Sequence, residues 1–351
     1  MYSEQDVRDA VAAGAISAEA AEGLRTYIEG ARVAPATDEE TFRLLNSFND
    51  IFVTIAAVLL LVAMGGIGRA IAPGVGGVLV AAAAWGMAEY FTRARRMALP
   101  SIVLLLAFVG GVVAGPADLL RSMHLEQLGG RLAVLIFSSV FILGAVAAWF
   151  HWRRFKVPIT VAAGAAAVSA TAIALILAAI GPDKGESAKA LILPLVFAAG
   201  LGVFAYAMRW DMSDRGRETR RSDVAFWLHL LAAPMIAHPL FQWLGISSGD
   251  TIGASGALLV LAIYVLFGIV ALAVDRRALL VSALAYVLYA LTRLFQEFGM
   301  VELNVALTAL VIGSALLTLS AFWTRIRSGL VRQLPSEWQA RLPVAGVMAA
   351  A

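Results

Sequence analysis

His238 and Gln242 stand four residues apart in an otherwise apolar stretch, and Arg293 and Glu297 repeat that spacing in another. Four residues is just over one helical turn, so each pair shares a helix face. Ionisable side chains are costly inside a membrane, and by default they mark a path or site for a proton, an ion or a small solute. Pro234 and Pro239 lie in the first stretch. Each removes a backbone donor and frees a carbonyl four residues earlier, those of Leu230 and Met235. Discontinuous helices with free carbonyls are how transporters build sites near the bilayer midplane. His229 lies nine residues before His238, about 180° around an ideal helix, so these two histidines should not converge.

Whether the four residues can meet depends on the elements that carry them. The chain has 351 residues, of which 61% are hydrophobic and only 15% charged, against about 25% charged in a soluble domain. The apolar residues gather in runs of about twenty, enough to cross a ~30 Å hydrocarbon layer as helices. They do not alternate as barrel strands would. The expected fold is therefore an all-α polytopic membrane helix bundle. Ten spans are expected, at 51–68, 75–91, 99–115, 132–150, 157–180, 188–208, 224–244, 252–274, 278–298 and 301–323.

The basic residues orient these spans. Of the 27 Lys and Arg, 21 fall in the N-terminal segment, the C-terminal tail and every second connection, beginning with that between spans 2 and 3. Five fall on the other side, and Arg293 lies within a span. The positive-inside rule then places both termini in the cytoplasm. Spans 7 and 9 both run outward. At ~1.5 Å per residue His238 lies roughly 21 Å in and Arg293 roughly 22 Å in. Gln242, Gln296, Glu297, Glu302 and Asn304 fall in or just beyond the same outer layer. Two readings of this layer stay open. It is a solute site, or Arg293 snorkels outward beside Glu297 while His238 bonds a neighbouring helix.

Other chemistries find little support. There is no cysteine, which removes disulfides and thiolate sites. The four histidines have no zinc spacing, and no P-loop, GxSxG or HExxH pattern occurs. No catalytic, cofactor-binding or metal-ligating residue is assigned. The basic clusters lie beside spans, which suits membrane orientation and not nucleic acid. Glu89 with Arg93, His151, and Asn49-Asp50 read as structural groups at span ends. Gly110 with Ala114, and Gly164, suit close helix packing.

Residues 1–48 read as a cytoplasmic helical module, 49–324 as the bundle and 325–351 as a cytoplasmic amphipathic tail. In the first, Gly14 ends a helix over 4–13, Ser17 caps a helix over 18–32, and Thr37 with Glu40 forms a capping box. Its apolar stripe is too thin for an independent domain. In the tail, Leu330, Leu334, Trp338 and Leu342 among Arg327, Arg332 and Arg341 suit a membrane surface.

Arg95-Arg96-Met97-Ala98-Leu99-Pro100 aligns with Arg153-Arg154-Phe155-Lys156-Val157-Pro158, and Arg276-Arg277 begins a weaker third copy. The offsets give a period of about 60 residues, with the Arg215–Arg221 cluster where the missing copy should be. Sixty residues hold two spans, so these repeats would be parallel. The hairpin Asp6-Val7 to Ala20-Ala21, with Tyr27 and Arg32, and the turn His151-Trp152 to Thr160 resemble an uncharacterised family of bacterial multi-pass inner-membrane proteins with a short N-terminal helical hairpin. The resemblance implies an inner-membrane location and transfers no functional residue.

These features together suggest a non-enzymatic structural or regulatory membrane protein, surrounded by lipid, whose residues 1–32 dock a cytoplasmic protein partner. The alternative is a small-solute or ion transporter using His238, Gln242, Arg293 and Glu297. A lipid-acting enzyme would need convergent acid and base groups, and only His229 and His238 offer a base.

Overall fold

The computed structural model describes residues 10–23, 48–124, 130–180, 185–217, 219–245, 253–297 and 303–344. Ten of its helices are long and apolar enough to cross a membrane. They are α1 (Phe48–Ile71), α2 (Val75–Ala88), α3 (Ala98–Ser122), α4 (Gly130–Phe155), α5 (Ile159–Ile180), α6 (Gly185–Met212), α7 (Arg220–Trp243), α8 (Ala254–Val274), α9 (Ala278–Glu297) and α10 (Asn304–Ala321). The chain is an all-α polytopic membrane bundle, with each helix on one expected span. Two short helices follow, α11 (Trp323–Gln333) and α12 (Ser336–Gln339).

Neighbouring helices are tied at alternating ends. The Gly74 amide, just before α2, donates to Asp118 Oδ2 of α3 at 2.8 Å. That bond holds a helical extension past Pro116, which is why α3 continues well beyond the expected residue 115. Arg131 of α4 donates to the Ala178 and Ala179 carbonyls of α5 at 2.9 and 3.1 Å. The opposite end, which carries the arginine clusters, is called the basic end below. There α2 continues as a π-helical turn, Glu89–Ala94. Glu89 accepts from Arg154 of α4 at 2.7 and 2.8 Å and from Arg93 at 3.3 Å.

The basic-end turns share a backbone device. Arg96, Lys156, Arg217 and Asp275 are left-handed, with φ of 54°, 55°, 57° and 60°. One falls in each connection α2–α3, α4–α5, α6–α7 and α8–α9, spaced 60, 61 and 58 residues apart. Such a conformation costs a non-glycine residue ~1–2 kcal/mol. It ends a helix and reverses the chain within a few residues. At Asp275 the following Arg276 amide returns to the Ala271 carbonyl at 2.9 Å, the long bond of a Schellman motif. The spacing matches the two-span period, including at Arg217, where the sequence shows only an arginine cluster.

Backbones approach most closely between α2 and α3. A Cβ on Gly77 would stand 2.3 Å from the Gly115 nitrogen and 2.6 Å from the Gly111 carbonyl oxygen. The small-residue face of α3 is thus Gly111 and Gly115, both buried, one residue away from the expected Gly110 and Ala114, which are exposed. Gly164 of α5 does face α4, where a Cβ would meet Ala148 at 3.5 Å.

The largest core surrounds α7, the most enclosed of the ten helices. Its buried Leu228, Ala232, Ala233 and Phe241 pack with Val203 of α6, Val260 of α8 and Val287 of α9. Although Pro234 and Pro239 lie inside it, α7 runs unbroken from Arg220 to Trp243. The discontinuity expected from the prolines is absent: α7 stays helical through both missing donors, with Pro239 buried and Pro234 exposed.

The N-terminal segment forms a unit of its own. Gly14 is left-handed (φ 70°), and the Ser17 hydroxyl accepts from the Ala20 amide at 3.0 Å ahead of helical residues 18–23. Thr37 and Glu40 lie outside the described residues.

Gly77→Leu should separate α2 from α3 and cost about 1–3 kcal/mol. Gly110→Ala, with nothing within 4 Å of the new methyl, should be neutral or slightly stabilising. Thermal unfolding of the two variants in one detergent checks this contrast.

Candidate functional site

The outer layer does not assemble into a site among the described residues. His238 is exposed on the perimeter, and its Nδ1 lies 2.7 Å from the Tyr286 hydroxyl of α9. Gln242 is half-buried, one turn further along α7. Arg293 is half-buried and donates to Gln296 on its own helix at 3.1 Å. Glu297 ends α9, and its side chain lies outside the described residues, as does Glu302. Asn304 is buried at the start of α10, its Oδ1 accepting from the adjacent Val305 amide at 2.6 Å. No hydrogen bond among the described residues joins His238 or Gln242 to Arg293. His229 faces inward on the opposite side of α7, as the nine-residue spacing requires.

The convergent polar groups are at the basic end. Asp211, near the end of α6, is wholly buried. Its Oδ2 lies 2.9 Å from His229 Nε2 of α7, and its Oδ1 is 2.5 Å from Arg276 Nη2 of the α8–α9 turn. Arg276 Nε adds a longer bond to Oδ2 at 3.4 Å, and Nη2 reaches the Ser222 carbonyl at 3.1 Å. A carboxylate facing arginine only accepts, so His229 Nε2 carries a proton here. Asp211, His229 and Arg276 thus join three connected stretches of chain through buried, charge-assisted bonds.

The next carboxylate in the same turn, Asp275, gathers a second set. It accepts from Trp323 Nε1 of α11 and from Arg217 Nη1 of the α6–α7 connection, each at 2.6 Å. Arg217 Nη2 also donates to the Asp275 carbonyl at 2.9 Å. Burial, and then the nearby Arg276, lower the Arg217 pKa from the ordinary arginine value, while Asp275 and Asp211 raise it; arginine remains protonated throughout. Arg327 of α11, 1% exposed, lies 3.6 Å from Asp275 Oδ1. It donates to the Pro343 and Val344 carbonyls at 2.8 and 3.2 Å. Arg215 donates to the Leu342 and Gln339 carbonyls at 2.8 and 3.1 Å. Arg277 lies 4.7 Å over the Trp323 ring. The tail expected at the membrane surface is therefore clasped by arginines against the bundle, with Leu342 buried beside Val274 and Val331.

Glu89 and Arg93 pair at the basic end, with Arg154 as an added partner. His151 is buried among Trp85, Phe108 and Phe155, with its Nδ1 3.2 Å from Thr160 Oγ1. Asp50 is buried at the start of α1. Among the described residues no three His, Asp or Glu side chains group as a bound metal would need.

Sequence reasoning missed Asp211, Asp275, Arg217, Arg276, Trp323 and Arg327 as a set. The available signal was an acidic residue closing each of two spans, Asp211 and Asp275, immediately before an arginine cluster. Comparison with protein-family models, with curated proteins and with solved structures finds no match to this chain. The roles above therefore rest on this geometry alone.

His238→Ala and Tyr286→Phe should each shift stability by only about 0.6 kcal/mol, the average of hydrogen bonds between membrane helices. Arg327→Gln should release the tail, so that trypsin cuts after Arg341 at least tenfold faster than in the wild type while the bundle stays intact. Thermal unfolding and timed proteolysis of the solubilised protein check the two.

Proposed function

We propose that this chain is a non-enzymatic structural or regulatory protein of a bacterial inner membrane. In this reading the basic end and both termini face the cytoplasm, and residues 1–32 dock a cytoplasmic protein. The observation that carries it is the use of the buried charges. Asp211 bonds both His229 and Arg276, and Asp275 bonds Arg217 and Trp323. Neither of the apolar grooves among α4, α5 and α6 is lined by any of these residues.

A transport path needs polar groups that face water and exchange partners. A catalytic pair must reach its substrate. The paired groups here meet neither requirement, and they suit a rigid base from which a short helical segment is displayed. The thin apolar stripe of that segment, Val7, Val11, Ile16, Leu24 and Ile28, fits an interaction surface better than a self-sufficient core.

The test places a photo-crosslinking residue at Val11 in the full-length protein in its native host. One discrete protein adduct, lost when the crosslinker is moved to exposed Val344 of the tail, is expected. Proteoliposomes of the purified protein should meanwhile accumulate no ion or small solute above empty vesicles. Solute accumulation abolished by His238→Ala or Arg293→Ala would overturn the reading in favour of transport.

A further inference from the structure

Helices α4 and α5 pack tightly, but α6 stands off from them along one side. The gap is a groove of about 580 Å³. Its floor is made by small residues, among them Ala145, Ala148, Gly164 and Gly202. Side chains of this size cannot close the space between three helices, and open space remains at Gly202, where an added Cβ meets nothing within 4 Å. Along α5 the groove runs from Thr160 to Ala172, about 18 Å at ~1.5 Å per residue. One leaflet of a ~30 Å hydrocarbon layer is about 15 Å deep, so the groove matches one leaflet.

The two ends of the groove differ chemically. Its deep part is aliphatic apart from Ser169. Its basic-end mouth carries Trp149, Trp152, Tyr206 and Trp210, residue types that favour the headgroup level. Two cations sit on those rings. The Arg153 guanidinium lies 5.1 Å over Trp149, and the Lys156 ammonium lies 5.3 Å over Trp152. Both side chains are exposed, and among the described residues neither is spent on a carboxylate in the way that Arg154 is spent on Glu89. The left-handed backbone at Lys156 (φ 55°) turns the chain at this point and sets its side chain beside Trp152.

The geometry points to a binding site for one anionic phospholipid, with an acyl chain in the α4–α5–α6 groove and its phosphate between Arg153 and Lys156. An apolar slot of leaflet depth selects a lipid tail. Two cations held at the headgroup level by aromatic rings select negative charge over a zwitterion. The site is separate from the Asp211 and Asp275 network, and it holds whether or not residues 1–32 dock a partner.

The test uses full-length protein delipidated in a neutral detergent, with phosphatidylglycerol or phosphatidylcholine added back. Binding is read by native mass spectrometry and by thermal stabilisation. The wild type should bind phosphatidylglycerol at least fivefold more tightly than phosphatidylcholine, about the effect of one basic residue at a membrane surface. Arg153→Gln with Lys156→Asn, the latter chosen because asparagine tolerates a left-handed backbone, should bring the two lipids level. Gly202→Leu fills open space without a backbone clash, and it should cut binding of both lipids at least fivefold while the lipid-free protein melts as the wild type does. Equal binding of the two lipids by the wild type would overturn the proposal. So would an unchanged preference in the double variant, or undiminished binding by Gly202→Leu.

Discussion

Asp211 is removed entirely from solvent, and much of the basic end is arranged so that its charge is never unpaired. An isolated carboxylate in such a place would cost several kcal/mol. His229 therefore comes from one helix and Arg276 from a turn 65 residues further along the chain. Satisfying one buried charge fixes the approach of α6 to α7 and the position of the α8–α9 turn at once. Asp275, the neighbour of Arg276, then lies where it meets Arg217, Trp323 and Arg327. The helix ends, the α11 helix and the tail are thus coupled through two adjacent residues, Asp275 and Arg276.

The same constraint explains the contrast between the two ends of the bundle. At the basic end, arginines from the α6–α7 connection and the α8–α9 turn supply the partners for the buried acids. At the far end the polar groups pair singly instead: His238 with Tyr286, Arg293 with Gln296, Asp118 with the Gly74 amide, and Arg131 with the Ala178 and Ala179 carbonyls. The helices nearer the N-terminus rely instead on close backbone contact, as at Gly77 and Gly115.

Much of this architecture was legible in the residues. Ten apolar runs and an alternating bias of arginine yield ten spans, because length and charge are properties of a segment by itself. The period of about 60 residues is legible for the same reason, and the left-handed residues Arg96, Lys156, Arg217 and Asp275 mark it in the backbone. Depth along a helix is also legible, which is why His238 and Arg293 look like one layer. Azimuth is not. Which face of α7 meets α6 and α9 depends on packing, and it turns His238 outward and His229 inward. A similar one-residue ambiguity separates the pair Gly110 and Ala114 from the pair that makes the contact, Gly111 and Gly115. Asp211 and Asp275 look like ordinary span-end charges because their partners come from other elements: His229 and Arg276, 18 and 65 residues along the chain from Asp211, and Trp323, 48 residues from Asp275.

The buried charges form a latch between helices, joining α6, α7 and the α8–α9 turn. A double-mutant cycle between Asp211→Leu and Arg276→Met, read by equilibrium unfolding in detergent, tests it most directly. Each single variant should lose about 3–5 kcal/mol by stranding its partner, and the double variant should be markedly more stable than the sum of the two losses. Additive losses, or single variants as stable as the wild type, would contradict the account.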